Sequence, residues 1–157
     1  MDWIEELRVL PGVLYAMVLG GVIGLERELK DRPAGFRTHM LVAGTAALLL
    51  GLGRLVLEDG RHSSAALQID PLRLVEAMVA GVSFIGAGTI FASRSGERVQ
   101  GITTAASLLM VAAIGITVGL RYHLLGFAIT LLTLAVLGLL RVIERRAKPR
   151  LERDGNA

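Results

Sequence analysis

Two short stretches hold the side chains best able to bind or react in this 157-residue chain. The first is Glu26-Arg27-Glu28, followed by Arg32 and by Arg37-Thr38-His39. The second is Gly86-Ala87-Gly88-Thr89, followed by Gly101-Ile102-Thr103-Thr104. Opposed charges in the first stretch suit ion pairs. Consecutive residues cannot share one helix face, so one of Glu26 and Glu28 is expected to turn inward to Arg37. Pairing of either with Arg32 or Arg37 would staple a tight loop. An exposed staple contributes only about 0–1 kcal/mol, whereas one held at a membrane boundary costs more to break. His39 offers either a proton-responsive group or a hydrogen-bonded structural imidazole. Gly86-Ala87-Gly88 permits a local helix break, whose freed backbone groups need partners. Thr103 or Thr104 is placed to cap the helix that follows, and the start of that helix carries partial positive charge. A helix start beside a broken helix is the arrangement of an ion or anion pocket.

Other chemistries lack their residues. With no cysteine, disulfides, thiol chemistry and thiolate metal sites are excluded. No HExxH or other His–carboxylate cluster has metal-ligand spacing. There is no GxSxG elbow and no GxxxxGK[ST] phosphate loop. Asp31, Asp59 and Asp70 fall on different loops, and Ser83 has no base beside it in sequence. The expectation is a non-enzymatic protein with no metal and no cofactor.

The elements that hold these residues are set by where charge is missing. Five blocks, 9–25, 38–53, 77–93, 99–120 and 122–140, contain no Asp, Glu, Lys or Arg. A bilayer core about 30 Å thick needs roughly 20 mostly apolar residues in helix, and each block reaches that length with its flanks, since terminal Lys and Arg can snorkel. The prediction is an all-α polytopic membrane protein with five transmembrane helices, at about 10–27, 38–57, 72–92, 100–120 and 123–143. A mean hydropathy of +0.59 agrees. The first ten residues lack the positive start of a signal peptide. Trp3, Ile4, Leu7 and Leu10 fall at helical spacing, so 1–9 reads as an interfacial amphipathic helix. Residues 144–157 read as a basic tail.

Short cytoplasmic loops are rich in Lys and Arg. Of the 17 basic residues, 12 fall on the side of 26–37, 94–98 and the tail, and five on the other. That split puts the N-terminus outside and the C-terminus in the cytoplasm, and it accounts for the pI of 9.9. The tail has no aromatic residue and no reading motif, so nucleic acid is not expected as a partner. On this topology both polar stretches reach one level, the cytoplasmic boundary. Arg54, Arg73 and Glu76 read as anchors at the other face, with Arg73 and Glu76 at a pairing distance of i,i+3. Gly20, Gly24, Gly81, Gly115 and Gly119 read as helix-packing positions, Gly20/Gly24 and Gly115/Gly119 being GxxxG pairs. Such surfaces also point to a homodimer.

In order and spacing, these segments resemble the MgtC/SapB family of bacterial inner-membrane proteins. The residues that carry the likeness are Gly24–Glu28, Arg32-Pro33-Ala34-Gly35-Phe36-Arg37-Thr38-His39-Met40-Leu41-Val42, Gly81-Val82-Ser83-Phe84-Ile85-Gly86-Ala87-Gly88-Thr89-Ile90 and Val99-Gln100-Gly101-Ile102-Thr103-Thr104-Ala105-Ala106-Ser107. The resemblance implies a five-span, multi-pass inner-membrane domain with a cytoplasmic C-terminus. It also implies adaptation to low magnesium, a virulence role in some members and modulation of an F-type ATP synthase in certain others. Many members have a cytoplasmic domain after the last span, where here 14 residues follow Ile143, so a compact SapB-like member is expected. Ala77, Ser83 and Leu109 stand where many members have Gln, Gly and Trp.

Two readings follow. In the first, the chain sits in the bilayer and binds and modulates another membrane protein, such as an ATP synthase or cation pump, through its cytoplasmic face. In the second it is a small oligomeric transporter or channel for magnesium or another ion. No charge lies in the middle of any span, and transport paths usually hold ionisable groups, which favours the first.

Overall fold

The computed structural model describes residues 7–58, 70–92 and 101–154, with side chains as far as 138. The described residues form five helices: α1 (Leu10–Glu28), α2 (Phe36–Glu58), α3 (Pro71–Ala92), α4 (Ile102–Gly119) and α5 (His123–Asp154). The first four are long and apolar enough to cross a bilayer. The described apolar part of α5, His123–Gly138, is shorter. The helix itself continues without a break through the segment expected to be a tail, because 144–154 consists mostly of strong helix formers. The interfacial helix expected over 1–9 falls largely outside the described residues, as do Arg94 and Arg98.

The helix ends follow from local chemistry. Pro11 stands in the first turn of α1, where its missing N–H has no partner to lose. At the other end of α1, Asp31 N–H donates to Glu28 O (3.0 Å) and Arg32 N–H to Arg27 O (3.2 Å). This is a Schellman closure with Asp31 in the left-handed region at φ 51°. The end of α4 repeats it: Arg121 N–H donates to Val118 O (2.8 Å), Tyr122 N–H to Thr117 O (3.0 Å), and Arg121 has φ 68°. Aspartate tolerates that conformation. For arginine it costs roughly 1–2 kcal/mol.

Helix α4 is the centre of the bundle and packs against each of the other four. Contact of α2 with both α1 and α4 rests on missing side chains. A Cβ on Gly20 of α1 would stand 2.6 Å from His39 O and 2.7 Å from Ala43 Cβ, and one on Gly24 would stand 2.8 Å from Phe36 Cα. On α4, a Cβ on Gly115 would collide with Ala43 O, and one on Gly119 would lie 2.7 Å from Leu50 Cβ. Backbones this close gain dispersion contact that lipid cannot supply, which is the main source of helix association in a membrane. The seam is filled by Ala16, Ile23, Ala43, Ala46, Leu108 and Ala112, all fully buried. Helix α3 lies at the edge, along α4 with less contact to α2. Leu72, Val79, Phe84, Ile85 and Phe91 on it are exposed. Among the described residues, a Cβ on Gly81 would meet nothing within 4 Å.

Candidate functional site

The end of α1, the start of α2 and the first two turns of α4 enclose a polar cluster inside an apolar bundle. Arg27 is only 4% exposed. Its Nη2 donates to Thr104 Oγ1 at 3.1 Å, joining α1 to α4 across 77 residues of sequence. His39 is wholly buried. Its Nδ1 lies 2.8 Å from Gly35 O and its Nε2 3.1 Å from Ser107 Oγ. A carbonyl oxygen only accepts, so Nδ1 carries the hydrogen. Ser107 Oγ also lies 2.8 Å from Thr104 O.

That last contact gives the cluster its one chemical choice. A hydroxyl has a single hydrogen, and Thr104 O and His39 Nε2 both stand to receive it. With neutral His39, Ser107 donates to Nε2. With protonated His39, Nε2 donates to Ser107 and the hydroxyl turns to Thr104 O. A proton on Nε2 would reverse this bond between α2 and α4. The geometry is that of a hydrogen-bonded structural imidazole.

The acidic residues are arranged otherwise than the sequence suggested. Glu28 Oε2 accepts the Phe36 N–H at 2.8 Å, so it caps α2 in place of pairing with arginine. Glu26 forms an ion pair with Lys30, one turn on, and Lys30 Nζ also reaches Leu137 O of α5 at 3.5 Å. Apart from that ion pair, neither Glu26 oxygen nor Arg27 Nε has a hydrogen-bond partner among the described residues. Arg32 and Arg37 are exposed, and among the described residues neither is paired with Glu26 or Glu28. The inward position belongs to Arg27, because it follows Ile23 and Gly24 on the buried face of α1. Thr38 is half-buried.

The second stretch meets the first at one level, with two corrections. Helix α3 is continuous from Pro71 to Ala92, so Gly86-Ala87-Gly88 makes no break. Gly86 instead lets α3 approach α4: its Cβ would stand 3.2 Å from Ala105 Cβ. Among the described residues nothing stands within 4 Å of a Cβ at Gly88, and Thr89 Oγ1 donates to Gly86 O at 2.7 Å. Neither Thr103 nor Thr104 caps α4. Its N-cap is Gly101 at φ 92°, with no side-chain cap; Thr103 is exposed and Thr104 is turned to Arg27. A Cβ on Gly101 would lie 2.7 Å from Thr89 O, so the start of α4 is pressed against the end of α3.

Sequence reasoning missed Ser107, Lys30 and Gly35. Ser107 could have been found: it follows Thr104 by three residues on the face that continues through Val111, Ile114 and Val118. Lys30 stands at the stabilising i,i+4 distance from Glu26. Nothing in the sequence marks Gly35 O as an acceptor. Among the described residues, no three His, Asp or Glu side chains come together as metal ligands.

Four helices long and apolar enough to cross a bilayer, three of them enclosing a hydrogen-bonded polar cluster, define a polytopic α-helical membrane protein. The chain belongs to the MgtC family, whose sequence model matches residues 13–146. A protein of Haemophilus influenzae is 34% identical over 141 residues, which is 90% of this chain and 59% of that one. YhiD of Escherichia coli K12, whose name carries a provisional magnesium-transporter label, is 35% identical over 80% of this chain and 57% of its own. SapB of Bacillus subtilis is 32% identical over 95% of this chain and 63% of its own. The chain thus spans less than two thirds of the length of these relatives. No solved structure matches it.

Proposed function

We propose that the chain is a non-enzymatic module of the bacterial inner membrane that binds and modulates another membrane protein during adaptation to low magnesium. An ATP synthase or a cation pump is the class of partner expected. In this reading α5 is a fifth span, and the Arg27–His39 end faces the cytoplasm, as the 12-to-5 division of basic residues requires. The observation that carries the reading is that Arg27 and His39, buried at this end, bond within the bundle: Arg27 to Thr104, and His39 to Gly35 and Ser107. Beyond them, among the described residues, the seam is filled by the apolar side chains of Ala16, Leu19, Ala43, Ala46, Val111 and Ala112. A conduction path needs polar groups facing a water-filled way through. What this end offers outward is Arg32, Arg37, Leu29 and Phe36, a basic and apolar rim suited to a partner's acidic loop or to anionic headgroups.

Transport of magnesium or another ion is the alternative, supported by the label on the E. coli relative. Reconstitution separates the two. Liposomes that hold only this chain are expected to show no saturable ion flux, and robust saturable flux overturns the modulator reading. Under that reading a partner co-purifies in mild detergent, and Arg32→Ala with Arg37→Ala releases it without lowering the amount of folded chain.

A further inference from the structure

At the end of the bundle away from His39, the start of α1, the last turns of α2 and α4 and the start of α5 surround a cavity of about 600 Å³. Its volume falls within the range of small-molecule sites, about 300–1,000 Å³. Val9, Pro11, Ala47, Leu55 and Val118 give it apolar walls. Arg8, Arg54, Arg121 and His123 converge on it, against one carboxylate among the described residues, Glu58. That carboxylate is engaged by Arg54 at 2.7 Å. Arg8 and Arg121 have no acidic partner at ion-pair distance among the described residues. Tyr15, which reaches His123 O at 3.4 Å and stacks edge-on against the His123 ring, closes one side.

Two features set this cavity apart from a chance gap. Its arginines, Arg8, Arg54 and Arg121, come from three separate places in the sequence, so one local basic run does not account for them. Arg121, moreover, holds the left-handed conformation at φ 68°, where glycine is the ordinary residue. The chain keeps a guanidinium there against backbone preference. Guanidinium groups offer planar pairs of donors that match the oxygens of a phosphate, and apolar walls strengthen such contacts by lowering the local dielectric.

We propose that this cavity is an anion site that takes a phosphate group, borne on a lipid headgroup or free in solution. The site is independent of the modulator reading, since it shares no residue with the Arg27–His39 cluster. Asp2, Glu5 and Glu6 precede Arg8 outside the described residues, so the test uses the full chain. The chain is purified in neutral detergent and titrated by calorimetry with inorganic phosphate, with short-chain phosphatidic acid and with phosphatidylcholine of the same chain length. Saturable binding of at least one of the first two is expected, with phosphatidylcholine at least tenfold weaker. Binding of inorganic phosphate identifies a free anion; binding of phosphatidic acid alone identifies a headgroup. Arg121→Gly removes the charge while relaxing the backbone, so it is expected to weaken binding at least tenfold with no fall in melting temperature. Gly12 lines the same cavity, and a Cβ there would lie 4.0 Å from its nearest neighbour, Val118 Cγ1. Gly12→Leu is therefore expected to block the ligand by occupying the space and leaving every charge in place. The proposal is overturned if neither phosphate ligand binds saturably, if phosphatidylcholine binds equally well, or if Arg121→Gly and Gly12→Leu both bind as the unaltered chain does.

Discussion

The two ends of helix α1 solve opposite problems. Its Glu28 end buries an arginine among partners, so that Thr104 takes Arg27 Nη2 and Ser107 takes His39. Its Leu10 end borders a cavity on which Arg8 and Arg121 converge with no acidic partner at ion-pair distance among the described residues. Polar groups in an apolar surround lose stability unless they are bonded. The first end therefore contributes to holding the fold. At the second, the proposed anion takes up the donors that Glu58 alone, among the described residues, faces. Substitutions are expected to separate the ends: stability is lost at one and ligand at the other.

The sharpest contrast uses one substitution at two positions of one helix. Gly24→Leu must displace α2, since even a Cβ would stand 2.8 Å from Phe36 Cα. It is expected to cost about 3 kcal/mol or more and to leave little folded chain by size-exclusion chromatography. Gly12→Leu has room and gains helix propensity, so its melting temperature should stay level or rise. A Gly12→Leu chain as unstable as Gly24→Leu would break the comparison. Next in size, Thr104→Val strips a buried charged donor of its acceptor and is expected to cost about 2 kcal/mol in a thermal melt. Glu28→Ala removes the cap on the Phe36 N–H and should cost about 1 kcal/mol. At the cavity end, Arg121→Gly relieves a left-handed arginine and should stabilise by about 1 kcal/mol. Smallest of all, Arg54→Gln breaks only a part-exposed ion pair and should shift stability by less than about 1 kcal/mol.

Much of the fold was legible because charge is excluded from apolar spans. The expected starts 10, 38, 72, 100 and 123 stand beside observed starts at Leu10, Phe36, Pro71, Ile102 and His123. Packing was legible where it depends on absence of a side chain, as at Gly20 and Gly115. It was not legible at Gly81, since a glycine on a helix does not say whether a neighbour stands opposite. Within the cluster, residue types were legible and partners were not. Arg27 and His39 were singled out, but their partners are 77 and 68 residues away, a pairing fixed by the α1–α2–α4 seam. The cavity was invisible for the same reason. Arg8 precedes α1, Arg54 lies in the last turns of α2 and Arg121 joins α4 to α5, and only Arg54 was read as an anchor.

The dependence of Arg27 and His39 on α4 also has a consequence in time. The α1–α2 hairpin is complete well before Thr104 and Ser107 leave the ribosome. At about 5–20 residues per second, the 46 residues from Glu58 to Thr104 take roughly 2–9 s to synthesise. During that interval the hairpin carries an arginine without Thr104 to accept from it and an imidazole Nε2 without Ser107. Water, headgroups or the insertion machinery must serve in their place. The hairpin is thus a guest of its surroundings until α4 arrives, and the arrival of α4 releases it.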